Sequence, residues 1–426
     1  MMQLFGRLPA FVRRPVVFVV AVCLIRGGVM WLRAGQLAND PDGYRALAGN
    51  LLATGVFGHE RIPTAYRPPL YPLLLAGCSA LADSTVPIAI LHVLLGVATA
   101  LLTVVLARKW GLGDAAPLAG LSVACDPILL NQSTLIMTET LAAFLSVLAL
   151  VFITASGERQ SGGFAALAGI ALGLAVLCRP TFLLWLAMVA VCRGWFAGGW
   201  RLRLAGALLS AATVTLLPWA VRNQMQFGRP IITTTHGGYT LLLGNNPDYY
   251  QHLAEARWGA VWHADRLDAQ VRAKRSPDEL ANDRHEYALA WQHIRRQPGM
   301  FALACLARLG RFWGVVPHDV VNRDSVQTEP LLIRGMRYAI AAWYAGVFLL
   351  AIVACGQLRT AIFRPPWLWG FLLAISFTAA HAVYWSDLRM RAPLAPVISL
   401  LAVGGARRLA ATPPCRAPQT ARGTGG

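Results

Sequence analysis

The chain has 426 residues, 56% of them hydrophobic and 14% charged, with a formal net charge of +18. A soluble domain carries about 25% charged residues, so this composition excludes an ordinary soluble protein and points to a polytopic membrane protein. The positive charge does not read as a nucleic-acid surface, because the arginines sit between apolar runs and no basic stripe with interleaved aromatics occurs.

Arg7, Arg13 and Arg14 precede the apolar run Pro15–Leu32, and no small-residue cleavage site follows it. An uncleaved first span entering from the cytoplasm is expected. It delivers the chain to a polar loop over residues 34–86 on the far side. In that loop Tyr44, Leu47, Ala48, Leu51 and Leu52 repeat at helical spacing and Gly55 ends the run, which predicts an amphipathic surface helix. The apolar stretch 68–81 opens on Arg67-Pro68-Pro69 and is expected to lie along the interface.

Further spans are predicted over 87–107, 115–131, 135–155, 163–178, 181–197 and 204–221. Residues 222–334 are polar and hold more than half of the acidic residues, which predicts a small, partly helical extracytoplasmic module. Its apolar stretch 300–316 carries Arg308 and Arg311 and is read as a second interfacial helix. Spans over 337–355, 365–385 and 394–403 complete a C-terminal membrane part, 335–410, and the tail 411–426 is predicted to be disordered. About ten spans place Arg108-Lys109, Arg193 to Arg203, Arg359 to Arg364 and Arg407-Arg408 together on the cytoplasmic side, as positive-inside topology requires. The fold class is therefore an all-α polytopic membrane protein whose first module, 1–221, carries the candidate chemistry. The eight cysteines lie mostly within apolar runs with no C-x-x-C spacing, and read as small packing residues.

Carboxylates and guanidinium groups are expensive beside a bilayer, so those of the first loop mark a candidate functional site. Asp40 followed by Pro41 is also an ordinary helix start, and the residues alone do not separate the two roles. Asp42 suits the first turn of a helix, whose dipole favours an acid there. Arg67 suits either a phosphate ligand or an arginine reaching to lipid headgroups.

Asp40-x-x-x-Tyr44-x-x-Leu47-Ala48, Gly55-x-Phe57 and Arg67-Pro68-Pro69-x-Tyr71-Pro72 together resemble bacterial GT-C glycosyltransferases of the protein O-mannosyltransferase and aminoarabinose-transferase type. Leu135 to Thr140, Pro218-Trp219-x-x-Arg222-Asn223, Gly237-Gly238-Tyr239 with Gly244-Asn245-Asn246-Pro247, and Arg389-x-Arg391-x-Pro393 agree with it, so the resemblance spans roughly residues 5 to 410. It implies a GT-C-type bundle with its active site at the extracytoplasmic face, a polyprenyl-phosphate sugar donor, and a glycolipid, envelope glycan or protein acceptor. It also implies a bacterial inner-membrane location.

On this resemblance Asp40 is the catalytic carboxylate, taking the acceptor's proton in a single displacement that inverts the anomeric carbon. Arg67, Arg389 and Arg391 would bind the lipid phosphate. Glu139 would orient the acceptor or share a divalent cation with Asp40, although the spacing carries no metal signature. Tyr66, His59 and His236 are expected substrate contacts, and Asp42 a neighbouring binding group. Gly237-Gly238 and the Gly244 segment read as turns. The rival reading is a transporter or flippase of lipid-linked saccharides, but no internal repeat of that kind occurs.

Overall fold

A computed structural model describes residues 15–195, 199–255, 262–315 and 331–411. The described chain is almost wholly helical, its one sheet being a two-residue hairpin, β1 (Gly58–His59) against β2 (Ile62–Pro63). Six stretches are long and apolar enough to cross a membrane: Pro15–Leu32, Val86–Lys109, Glu139–Arg159, Trp200–Phe227, Leu331–Phe363 and Leu388–Ala410. Shorter apolar helices over Gly162–Cys178, Phe182–Gly194 and Trp367–Val383 pack among them. Large apolar side chains such as Leu24, Leu94, Val214, Leu332 and Ile352 are exposed on the outside. A surface of that kind is covered by lipid in a membrane protein.

The first span is helix α1 (Pro15–Leu32). After it, α2 (Tyr44–Thr54) is the amphipathic helix of the loop, closed by Gly55 with φ 73°. Helix α3 (Leu70–Leu81) follows the hairpin, and α4 (Val86–Lys109) is the next span. The span expected over 115–131 is broken into α5 (Ala116–Ala124) and α6 (Pro127–Gln132). The reason is local: Asp126 caps the second piece through Leu129 N at 3.0 Å, and Pro127 has no N–H to continue the first. Tyr344 donates a hydrogen bond to Asp126 at 3.1 Å and holds the break against a later helix.

Helix α7 (Glu139–Arg159) is central, with 78% of its apolar window buried. It packs on α8 (Gly162–Cys178), which packs in turn on α10 (Gly199–Phe227). Gly169 and Gly173 make that second contact close: a Cβ at Gly169 would sit 2.1 Å from Leu208 O, and one at Gly173 2.8 Å from Thr215 Cβ. Small residues four apart let membrane helices approach in this way. Helix α9 (Phe182–Trp195) packs against α10 and against α17 (Trp367–Val383).

The polar region forms α11 (Gly237–Gly244), α12 (Pro247–Glu255), α13 (Asp265–Lys274), α14 (Glu279–Arg296) and α15 (Pro298–Phe312). The pair Gly237-Gly238, expected as a turn, begins α11 instead. Its missing side chains admit α14, since a Cβ would lie 2.1 Å from Tyr287 OH at Gly237 and 2.2 Å from Asp283 O at Gly238. Two long helices, α16 (Leu331–Leu358) and α18 (Ala395–Ala411), pack on each other at the C-terminal end. The tail expected to be disordered lies, from 412 onward, outside the described residues.

The basic loops meet at one end of the bundle. Lys109 pairs with Glu158, Arg193 donates to Ser156 Oγ at 3.1 Å, and Arg407 donates to Gly111 O at 2.8 Å. The acid-bearing first loop and helices α11 to α15 gather around the other end.

Candidate active site

That other end holds a cavity of about 1080 Å³. It collects the starts of α7 and α9, the ends of α8 and α17, the first loop and the polar helices. The loop is held in place by a few long side chains. Arg222 donates to Phe57 O at 2.8 Å and Thr64 O at 2.9 Å, while Glu279 accepts from Ala65 N at 2.9 Å and from the Thr64 and Thr235 hydroxyls. The adjacent Tyr66-Arg67 pair is thereby fixed at the cavity wall.

The inner part of the cavity is a knot of charges around Glu139, whose side chain is 1% exposed. Its Oε1 accepts from Arg179 Nη1 at 3.0 Å and lies 3.6 Å from Arg389 Nη1, while Oε2 is buried without a partner. Arg67 reaches Asp42 Oδ1 at 3.1 Å and lies over the rings of Tyr44 and Tyr66, each centroid 5.5 Å away. Three guanidinium groups thus converge on the cavity wall, an arrangement that suits a phosphate.

Asp42, Tyr66, Arg67, Glu139 and Arg389 therefore meet in one place. His236 also lines it, with burial and then Arg67 and Arg275 holding its imidazole down to about 3. Asp40 does not line the cavity. Helix α2 begins at Tyr44, because Gly43 precedes it with φ 72°, and Asp40 Oδ2 accepts from Arg45 N at 2.9 Å and Ala46 N at 3.0 Å. Asp40 thus takes the helix-start role that was one of its two expected readings, while Asp42, expected in the first turn, lies before that turn and lines the cavity. Asp40 Oδ1 is left buried and without a partner.

His59 is exposed on the hairpin, away from the cavity. Arg391 is 2% exposed and points elsewhere, donating to Phe312 O at 3.2 Å and lying 4.2 Å from the Tyr344 ring centroid. It braces α16 and α15 against the last span. Among the described residues no group of three or more His, Cys, Asp or Glu is placed to hold a metal ion. Glu139, expected as a partner of Asp40 in such a site, is engaged by two arginines, a setting that repels a cation.

Sequence reasoning missed Arg179, which reads as a topology marker between two apolar runs, and it missed the outer wall of Tyr239, Asp268, Arg272, Arg275 and Tyr287. The only signal at Arg179 is Pro180 beside it, which ends one helix and leaves the side chain at a helix junction.

A family model described as dolichyl-phosphate-mannose-protein mannosyltransferase matches residues 66–222. The oligosaccharyltransferase of Archaeoglobus fulgidus, solved with a tethered acceptor peptide, superposes over 92% of this chain at 14% identity with a TM-score of 0.52. The fold is that of the GT-C glycosyltransferases. The chain spans about half of the archaeal enzyme, covering 49% of it. ArnT of Cupriavidus metallidurans, solved with undecaprenyl phosphate, matches over 92% of this chain and 77% of its own at 16% identity, with a TM-score of 0.42. Comparison with curated proteins gave no significant sequence match.

Proposed function

We propose that the chain is a bacterial inner-membrane glycosyltransferase, moving a sugar from a polyprenyl-phosphate carrier to a hydroxyl acceptor at the extracytoplasmic face. The cavity carries this reading. One flank, with Leu183, Leu184 and Ala187, is apolar, and both leucines are exposed, at 40% and 41%. Next to it stand Arg67, Arg179 and Arg389, and beyond them a polar chamber. A lipid tail, its phosphate and the attached sugar need surfaces in that order. The volume exceeds the roughly 300–1,000 Å³ of a single small-molecule site, leaving room for a second substrate. The matched family model supports the donor class, since its description names a dolichyl-phosphate sugar.

In the reaction the acceptor oxygen forms a bond to C1 of the sugar as the bond from C1 to the phosphate oxygen breaks. The electron pair leaves with the phosphate, where the three guanidinium groups compensate it. The acceptor proton passes to a carboxylate, and a single displacement inverts C1. We assign the proton to Asp40, whose Oδ1 is shielded and unpartnered while its other oxygen anchors it to the start of α2. Asp42 is the second reading, favoured by its place in the cavity and opposed by its ion pair with Arg67, which occupies Oδ1.

The test is transfer of labelled sugar from defined polyprenyl-phosphate donors by purified protein. Asp40→Asn is expected to lose about 10²–10⁴ in rate, the usual contribution of a general base, and Asp42→Asn far less. The opposite pattern moves the role to Asp42. No transfer from any donor by the wild type, together with flipping of a lipid-linked saccharide in vesicles, would establish the transporter reading instead.

A further inference from the structure

The outer half of the cavity is built unlike the inner half. Three rings run along its wall: Tyr66 meets His236 edge-on with centroids 4.4 Å apart, and His236 stacks on Tyr239 at 5.4 Å with 24° between planes. The charges there are already matched. Arg275 Nη2 donates to Tyr66 OH at 3.1 Å and to Glu286 Oε1 at 3.3 Å, and Tyr239 donates to Asp268. Arg272 Nε donates to the Asp268 carbonyl at 3.2 Å. His236 is uncharged, and its Nδ1 is shielded from solvent with no partner, although His236 stands on the wall of a cavity.

Each class of ligand makes its own demand on such a wall. An acyl chain wants a continuous apolar surface, which lies at the other flank by Leu183 and Leu184. A phosphate wants several guanidinium groups converging on one place, and Arg67, Arg179 and Arg389 converge around Glu139 and Asp42. An extended peptide wants a row of free backbone donors and acceptors; Tyr239 and Asp268 stand on helices, and the loop backbone beside Tyr66 and His236 is already bonded, Tyr66 N to Thr64 Oγ1 at 3.0 Å and Thr235 N to Ala65 O at 3.1 Å. A pyranose ring has two apolar C–H faces and an edge of hydroxyl groups. Its faces pack on aromatic rings, and its hydroxyls bond to neutral and paired polar groups held in fixed positions. A bare imidazole nitrogen in a shielded place is satisfied by one such hydroxyl.

We propose that Tyr66, His236 and Tyr239, with Asp268 and Arg275, form a saccharide-binding subsite, so that the accepting hydroxyl belongs to a sugar ring of a glycan and not to a protein side chain. This rests on the transferase reading for its consequence and on the ring wall for its evidence. The bonds are those already written: C1 of the donor sugar passes from the phosphate oxygen to a ring hydroxyl, whose proton goes to the first-loop carboxylate.

Saturation-transfer difference NMR on the full chain in nanodiscs tests the subsite without turnover. The probes are maltotriose, chitotriose and trigalacturonic acid, against the capped peptide Ala-Ser-Ala. At least one saccharide is expected to show saturated ring protons, reduced about fivefold by Tyr239→Ala and retained by Tyr239→Phe, which keeps the ring. Tyr66→Leu provides the same comparison should Tyr239→Ala not fold. Saturation of the peptide alone, or saccharide signals indifferent to both ring variants, overturns the proposal. A parallel assay with labelled polyprenyl-phosphate sugar separates the two readings. Donor consumed with sugar found only on the peptide sinks the subsite and keeps the transferase. Saccharide bound through Tyr239 with no donor consumed keeps the subsite and sinks the transferase.

Discussion

Glu139 shows how much a single side chain has to balance. Two guanidinium groups converge on its buried Oε1, and among the described residues neither has a nearer carboxylate, Asp387 lying 3.8 Å from Arg389 against 3.6 Å for Glu139. Replacing one partner of a buried pair leaves the other charge uncompensated, at a cost on the order of 3–5 kcal/mol. Glu139→Gln is therefore expected to lower thermal stability markedly and to cut the transfer rate. A thermal unfolding scan beside the labelled-sugar assay checks both, and a Gln variant as stable as the wild type would remove Glu139 from this role. Glu139 and Arg389 were both legible as residues of interest from their motifs. Arg179 was not, because one arginine between apolar runs carries the same pattern whether it marks topology or lines a site. Tyr66 and Arg275 illustrate the same limit: 209 residues separate them, and only the folded chain makes them neighbours.

At the level of elements, hydropathy located the membrane segments well because burial in lipid demands long apolar runs, whatever their packing. It could not locate the break between α5 and α6, since Asp126 is one polar residue in a run that stays apolar on average. Its carboxylate caps α6 and accepts from Tyr344, so one side chain fixes both a helix start and a contact with α16. Asp126→Ala is expected to cost about 1 kcal/mol for the cap and a similar amount for the stranded tyrosine hydroxyl. Tyr344→Phe keeps the cap and should cost about 1 kcal/mol for the hydrogen bonds its hydroxyl makes to Asp126 and Ile128 N. Denaturant titration of the two variants in detergent checks the ratio, and equal losses would mean that the cap contributes nothing. Helix α2 gives the converse lesson. Its periodicity and its glycine stop were plain in the sequence, but Gly43 moved its start past Asp42, which leaves the first turn for the cavity wall while Asp40 caps the helix from outside.

For the whole molecule, the two ends of the bundle differ in chemistry. The basic loops cluster at one end, and the cavity lies at the other with an apolar flank of Leu183, Leu184 and Ala187. If the donor arrives through that flank, Leu184→Trp narrows its path. The Michaelis constant for a long polyprenyl donor is expected to rise about tenfold, as a loss of roughly 1.4 kcal/mol in binding would give. A water-soluble short-chain donor should be little affected, and equal effects on both donors would refute lateral entry. The arrangement of flank, arginines and ring wall has a kinetic meaning as well. On the proposed transferase reading, with one doorway in the lipid and another facing water, neither substrate would have to wait for the other, so both would be bound together in either order. The spent carrier would then slip back sideways into the bilayer while the lengthened glycan left into water, without the two products ever having to pass.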